Sequence, residues 1–380
     1  MEHSLTPPPA RIVVSASPGE VRTAVLAPKL TEYRVWHPDF PDRVGDIYLG
    51  HVADIRPDMG GRFVALPDSM GFLPDSACDA PAPGLGMGVV VRVTRAAQGQ
   101  EQGGASGKGV RLTARLAQAE AACWAGAQGT ARRLTPGPDP VVDLAAAWPQ
   151  AEIVTDAPGL VAGWQALLTG RVRLVRQAME PSLLDLLARL EAPVWHLPGG
   201  GALHVSPTPA LTAIDVDMGR AAEAGGKTSA QARFNTALLP ELARQIRLRN
   251  LGGAILVDFA GMTARQRPKL AAGLRTALAE DRMAARLVGF TGLGFAEIVR
   301  RRGHAPLHEV LASPPARLAA AIREARAACL PGQPAILGLG TDLMAALDRA
   351  AGLYAALAGD IRVVMDAGLA ATAWEVRTAT

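Results

Sequence analysis

Short apolar runs alternate with polar and turn residues over the first third of the chain. ARIVV, RTAVL and EYRVW, within residues 10–36, place β-branched residues in near-alternation and predict three strands. Over residues 44–75 the sequence VGDIYLGHVADIRPDMGGRFVALPDSMGFLPD keeps such runs between Gly, Pro and Asp turns, and MGVVVRVTRA and KGVRLTARL continue the pattern to residue 116. Five or so short strands in about 70 residues predict a small barrel of the OB-fold kind. The stretch QGQEQGGASGKG, residues 98–109, is too polar to pack and reads as a mobile hairpin connection inside that barrel.

The period then changes. Residues 116–190 are rich in Ala, Arg and Leu, with prolines at 136–140 and a helix-like run, PGLVAGWQALLTGRVRLVRQAME, so this middle part reads as α/β. ALTAIDVDMGR, residues 210–220, predicts a strand ending in acidic residues. Phe234, Leu238, Leu242 and Ile246 recur at helical spacing and predict a helix over 230–249, stopped by Asn250, Gly252 and Gly253. GAILVDFAGM predicts a strand, 264–281 a helix, RLVGF a strand and 294–302 another helix. Such alternation implies a sheet with right-handed crossovers. From Pro314 the scheme repeats on a smaller scale, as a helix, the strand AILGLG, a helix over 340–357, the strand IRVVM and a final strand TAWEVRT. The expected fold class is α+β and multidomain.

Composition narrows the picture. With 49% hydrophobic and 19% charged residues and a mean hydropathy of +0.15, the chain is too apolar to be disordered. Every stretch long enough to span a bilayer is interrupted by charged residues, Gly or Pro, so no transmembrane helix is expected. The start, MEHSLTPPPARIVV, puts Glu2 and three prolines where a signal peptide needs a basic end and an apolar run, and a cytoplasmic location is expected. Cys78, Cys123 and Cys329 lie far apart and are expected as buried small hydrophobes, with no disulfide framework and no cysteine zinc site. The net charge of +4 suits a polyanionic partner. Only four of the 39 basic residues are lysines, which, beside so much Ala and Gly, matches a GC-rich coding bias.

Asp215 and Asp258 each close an apolar run, TAID and ILVD, in strands separated by one crossover helix. Ligands of α/β sheets gather at that edge. If the strands are neighbours, the carboxylates lie close enough to favour a hard dication, with Mg²⁺ as the natural occupant. Asp217 points to the same face as Asp215 by strand alternation. The same aspartates also suit loops and helix starts as caps. GGKTS, residues 225–229, has Ala221 where a triphosphate loop needs glycine, which leaves Lys227 as a phosphate contact in a basic loop. Tyr48, Phe63 and Phe72, with Arg92, Lys108 and Arg111 on neighbouring segments, fit a stacking platform for single-stranded nucleic acid and fit a barrel core equally well. His304 and His308 share helical spacing, but Pro306 between them opposes a zinc pair. The basic cluster RRRGH, 300–304, reads as a solvated helix end.

Taken in order, LTAIDVDMGR, FNTALLPELARQIRLRNLGGAILVDFAGM and LVGFTGLGFAEIVRRR resemble the ribonuclease E/G family of bacterial endoribonucleases. The barrel segment and GKGVRLTARL look like that family's RNA-binding OB-fold, and the tail looks like its small closing domain. The resemblance implies an N-terminal β part of a ribonuclease-H-like subdomain at 1–43, an OB-fold at 44–116, a degenerate 5′-sensor-like region at 117–180 and a reduced ribonuclease-H-like connection at 181–209. A catalytic nuclease-like domain at 210–312 and a small α/β domain at 313–380 follow. It implies Asp215 and Asp258 as Mg²⁺ ligands, Asp217 as a third catalytic residue where relatives usually carry Asn, and Phe63, Phe72 and Lys108 on the RNA-binding surface.

The activity so implied is Mg²⁺-dependent hydrolysis of single-stranded RNA at internal sites, in RNA processing or decay including ribosomal RNA maturation, leaving a 5′-phosphate and a 3′-hydroxyl. The alternatives are a catalytically weak or inactive RNA-binding protein of ribosome assembly or RNA metabolism, and a metal-dependent deoxyribonuclease. The sequence departs from the family at further places besides Asp217. Thr155 and Asp156 stand where an arginine–threonine pair would hold an RNA 5′-monophosphate, and Gly292 stands for a further arginine. PLHEVLASP has no cysteine where the family's zinc link should lie, so no zinc-linked tetramer is expected, while other oligomers remain open.

Overall fold

The computed structural model describes residues 10–79, 81–99, 108–164, 166–219, 227–329, 333–357, 359 and 361–378. The chain forms two compact units, one from Met1–Pro41, Pro140–Glu191 and Leu307–Thr380, the other from Asp42–Asp139 and Ala192–Pro306. The fold class is mixed α+β, as expected.

The first unit opens with an antiparallel meander, β1 (Arg11–Ser17), β2 (Glu20–Ala27) and β3 (Lys29–Trp36). The three predicted strands are these. Alternation sends Ile12, Val14, Val21 and Val25 into the core.

The second unit begins with β4 (Ile47–Arg56), β5 (Gly61–Ala65), β6 (Met70–Pro74), β7 (Gly88–Arg95) and β8 (Val110–Thr113). Their neighbour order is β5-β6-β8-β7-β4, and β4 pairs again with β5, so five strands close into a barrel consistent with an OB-fold. Closure leaves no exposed sheet edge within the ring. Val64, Leu73, Val91, Val93 and Leu112 fill the interior with Tyr48, which is 1% exposed. Tyr48 is therefore a core residue, its hydroxyl donating to Asp46 and accepting from Arg43. At Gly71 a Cβ would sit 2.5 Å from the Leu112 side chain, so closure of the ring there requires glycine. Gln98 and Lys108 pair across the base of the β7–β8 connection; the predicted mobility of that connection concerns residues 100–107, outside the described residues. After helix α1 (Gln118–Trp124), β9 (Arg132–Thr135) adds to β4.

The chain then returns to the first unit with α2 (Pro140–Ala147), β10 (Glu152–Thr155), α3 (Pro158–Trp164), β11 (Val172–Leu174) and α4 (Pro181–Glu191). β10 pairs parallel with β1, and β11 parallel with β10, giving the order β11-β10-β1-β2-β3. Residues 117–180, read from the sequence as one region, are thus divided between the two units.

The second unit's sheet follows: β12 (Val194–His196), β13 (Ala202–Pro207), β14 (Thr212–Asp217), helix α5 (Lys227–Leu248), β15 (Gly253–Asp258), helix α6 (Ala271–Leu278), β16 (Arg286–Phe290) and β17 (Ala296–Arg300). The order is β12-β13-β14-β15-β17-β16, with β14 and β15 parallel across the α5 crossover and the other pairs antiparallel. Leu238, Leu242 and Ile246 form the buried stripe of α5, and Asn250, at φ 48°, ends it in the left-handed conformation that Asn tolerates. The helix expected at 294–302 is instead β17. Ala296, Ile298 and Arg300 are buried at a period of two, and the last is inward because Asp281 neutralises it at 2.8 Å, with Asn250 Oδ1 accepting a further bond. The helix expected over 264–281 contracts to α6 behind a single 3₁₀ turn, Arg267–Leu270, that contains Pro268.

The first unit ends with α7 (Leu307–Ala312), α8 (Pro314–Ala328), β18 (Ala335–Leu339), α9 (Thr341–Arg349), α10 (Ala351–Leu357), β19 (Ile361–Met365) and β20 (Trp374–Thr378). The strands form a sheet ordered β19-β18-β20 over a core of Leu318, Ile322, Leu337, Leu339 and Leu347. The single helix expected at 340–357 is broken at Ala350. Cys78 is buried, but Cys123 is exposed and corrects the expectation of three buried thiols, because α1 buries none of its residues. Among the described residues no helix is long and apolar enough to cross a membrane.

Candidate active site

Asp215 of β14 and Asp258 of β15 are direct register partners in a parallel pair. Neighbouring strands lie about 4.8 Å apart, and registered residues project to the same face. Along β14, Thr212, Ile214 and Val216 are buried while Ala213, Asp215 and Asp217 are exposed. Ile255 and Val257 continue the buried side on β15. The three aspartates therefore share the open face at the carboxyl ends of two strands. Sequence alternation placed Asp217 with Asp215 correctly; the pairing of Asp215 with Asp258 needed the register.

The three carboxylates differ in their surroundings. Asp215 has no hydrogen-bond or ion-pair partner among the described residues. Asp217 Oδ1 accepts from the Gly219 amide at 2.9 Å. Asp258 Oδ1 lies 2.7 Å from the Arg267 guanidinium. Arg267 is itself fixed, donating from Nε to the Met262 carbonyl and from Nη2 to the Phe259 carbonyl, both at 2.9 Å. Sequence reasoning missed Arg267, because nothing in ARQRP separates one loop arginine from the next. Asn235 on α5 donates to the Ala260 carbonyl at 2.9 Å, so the loop that follows Asp258 is tied to the crossover helix as well.

Oxygen donors of this kind suit a hard dication. Mg²⁺ commonly takes one or two carboxylates and completes its shell with water and phosphate oxygens. Among the described residues no group of three or more His, Cys, Asp or Glu forms a closed metal cage. What the described residues bring together is the carboxylate pair of Asp215 and Asp258.

On the barrel, Phe63 of β5 and Phe72 of β6 are register partners with ring centroids 5.4 Å apart in an edge-to-face arrangement. Val64 and Leu73, their chain neighbours, point inward, so the two half-exposed phenyl rings face outward. Phe72 is in turn the register partner of Arg111 on β8. Lys108 Nζ lies 3.5 Å from the Pro209 carbonyl, at the foot of β14. Arg92, grouped with these residues by sequence, is ion-paired to Glu120. Lys227 has no described side chain, and residues 225 and 226 of the GGKTS loop lie outside the described residues.

In the first unit, Thr155 is fully buried at the end of β10, its hydroxyl accepting from the Ala157 amide. Asp156 accepts from Ser15 Oγ at 2.9 Å, the Ala178 amide at 3.0 Å and the Ala16 amide at 3.3 Å. Its carboxylate is occupied by its own unit. His304 Nδ1 contacts Asp42 at 2.6 Å.

Residues 177–303 match the ribonuclease E/G family. Over 119 residues the chain is 38% identical to ribonuclease G of Haemophilus influenzae, a stretch covering 30% of this chain and 24% of that protein. Against ribonuclease G of Escherichia coli the identity is 36% over 118 residues, again 30% and 24% of the two chains. Against ribonuclease E of Escherichia coli it is 34% over 137 residues, 36% of this chain and 13% of that one. The chain thus spans about a quarter or less of these relatives. The matched segment contains Asp215, Asp217, Asp258 and Arg267, while Phe63, Phe72 and Lys108 lie outside it. By the sheet that carries its three aspartates, residues 177–303 of the chain are similar to the ribonuclease E/G family.

Proposed function

We propose that the protein is a divalent-metal-dependent endoribonuclease that hydrolyses single-stranded RNA internally and leaves a 5′-phosphate and a 3′-hydroxyl, in RNA processing or decay. The observation that carries this reading is the register pairing of Asp215 with Asp258 at the free ends of parallel strands. The names of the relatives, ribonucleases G and E, support the substrate class.

Asp215 and Asp258 would hold Mg²⁺ between them. The ion, when bound, polarises a phosphoryl oxygen and offsets charge that develops on the scissile phosphate. Arg267 engages Asp258 through Oδ1, and Oδ2 would be the oxygen offered to the ion. Asp217, with Oδ1 committed to Gly219, keeps Oδ2 to accept a hydrogen bond from the attacking water and orient it for in-line displacement. On the barrel, Phe63 and Phe72 stack bases and Lys108 meets the backbone phosphates.

The test is incubation of an end-labelled, unstructured RNA with the purified protein in Mg²⁺ or EDTA. Internal cuts that need Mg²⁺ and yield fragments ready for ligation through their 5′-phosphates support the proposal. Tight binding without cuts, with Mn²⁺ tried as well, supports an RNA-binding protein without useful catalysis. Preferential cutting of single-stranded DNA in competition would mark a deoxyribonuclease.

A further inference from the structure

The aromatic pair on the barrel does not end at Phe72. Register partners continue across four strands, from Phe63 on β5 to Phe72 on β6, Arg111 on β8 and Arg95 on β7. Two stacking rings and two guanidiniums therefore stand in one row on the outer wall. Beyond Arg95 the row meets the segment after β17. The Ala96 amide donates to the Gly303 carbonyl at 3.0 Å, and Gln98 Nε2 donates to the Gly303 and His304 carbonyls at 3.1 and 3.0 Å. These bonds hold Arg302 beside Arg95, and Arg302 Nε is itself fixed on the Gly252 carbonyl at 3.1 Å.

None of the three arginines has a carboxylate partner among the described residues. Other arginines of this unit are matched, as Arg62 with Asp75, Arg92 with Glu120 and Arg300 with Asp281. Arg95 donates from Nη2 to the Gly109 carbonyl, while its Nε is buried without an acceptor. Burial first, and then the charges of Arg111 and Arg302, push the Arg95 guanidinium below its ordinary range. Like charges placed opposite one another across strands cost stability. An arrangement that folding disfavours and that no described acid relieves is suited to an external anion.

We propose that Arg111 and Arg302, gathered around Arg95, form a second phosphate subsite that takes the RNA backbone as it leaves the Phe63–Phe72 platform; this rests on the RNA reading above. The subsite is separate from the carboxylates. Arg302 lies past the Gly253 end of β15, about 17 Å along the strand from Asp258 at ~3.3 Å per residue. The occupant is a phosphodiester chain because the same row offers ring faces for its bases.

The experiment is the salt dependence of binding, by fluorescence anisotropy, of a labelled unstructured oligouridine in EDTA, so that no cleavage intervenes. Wild type is compared with Arg111→Gln, Arg302→Gln, Arg302→Lys and Arg275→Gln, the last removing an exposed charge on α6. Arg111→Gln and Arg302→Gln each bind several-fold more weakly and lower the slope of log affinity against log salt by about 0.7 for each lost single-strand contact. Arg302→Lys keeps the slope, and so does Arg275→Gln. Arg111→Gln also melts no lower than wild type, because it removes a like-charge pair. Wild-type binding with an unchanged slope in Arg111→Gln and Arg302→Gln overturns the subsite and leaves the RNA reading standing. No RNA binding by wild type overturns that reading itself.

Discussion

Asp215 and Asp258 stand side by side in register on β14 and β15, two carboxylates on the open face of a parallel strand pair. Strands joined by one crossover helix deliver both groups to the same edge, and the buried alternates, Ile214, Val216, Ile255 and Val257, keep them there by anchoring the opposite face. Among the described residues only one of the two is met by a cation: Arg267 on Asp258. The residual negative charge on Asp215 is what a dication would relieve.

On the proposed function, Arg267 would position that pair through its contact with Asp258. Outer partners of metal-holding carboxylates typically carry 10–100-fold in affinity or activity. Arg267→Gln is expected to raise the Mg²⁺ concentration for half-maximal cleavage and to weaken Mg²⁺ binding in calorimetry within about that range, with Arg267→Lys recovering part of the loss. An unchanged metal dependence in the Gln variant would remove Arg267 from the site.

Phe63 and Phe72 are half-exposed and lie edge to face, so in the proposed function both would belong to one stacking platform. Replacing either by Ala is expected to cost about 1–3 kcal/mol of RNA affinity per stacked base, and the double variant less than the sum of the two, because the rings act together. Anisotropy titrations of single and double variants read this out. Full affinity in both single variants would return the rings to a purely structural role.

The 5′ end of the RNA is expected to matter little. Asp156 spends its carboxylate on Ser15, Ala16 and Ala178, and Thr155 is buried against Ala157, so neither offers a donor to a phosphate. Cleavage rates on 5′-monophosphorylated and 5′-hydroxyl forms of one RNA should be nearly equal. A large gain on the phosphorylated form would show end sensing elsewhere in the chain.

Stability should fall in mild acid because of His37. The ring is buried, its Nδ1 bonded to the Gly19 carbonyl and its Nε2 without a partner, and burial holds its pKa below the ordinary 6.5 despite the nearby Glu20, with Arg323 and Arg22 opposing protonation as well. Below 6.5 the unfolded chain takes a proton that the folded ring resists, so the unfolded state is favoured as pH falls. Thermal melting of wild type is expected to drop between about pH 7 and 5.5, above the range where most carboxylates titrate, and His37→Gln to flatten that drop. Equal slopes in the two proteins would contradict the assignment.

How much could be read beforehand follows from which interactions are local. The barrel strands and α5 announced themselves because their buried positions repeat at fixed spacing, as Val91 and Val93 do in β7 and Leu238, Leu242 and Ile246 do in the helix. β17 was hidden because Arg300 occupies an inward position made tolerable by Asp281, nineteen residues upstream, and by Asn250. β10 joined the N-terminal meander through parallel pairing with β1 across more than a hundred residues, and β11 followed by pairing with β10, which no local period records. At the site, TAID and ILVD marked both aspartates, but their adjacency, the hold of Arg267 and the row from Phe63 to Arg95 are properties of register. Tyr48 and Phe63 look alike in sequence, and only strand alternation within the closed ring sends one inside and the other out.

In the proposed reaction Asp215 and Asp258 act together on RNA. The most direct measurement of this is the single-turnover cleavage rate of Asp215→Asn and Asp258→Asn beside wild type in Mg²⁺, with RNA binding in EDTA and thermal melting followed on the same preparations. Both variants should lose cleavage while melting and binding stay close to wild type. Wild-type cleavage by either variant would contradict the claim.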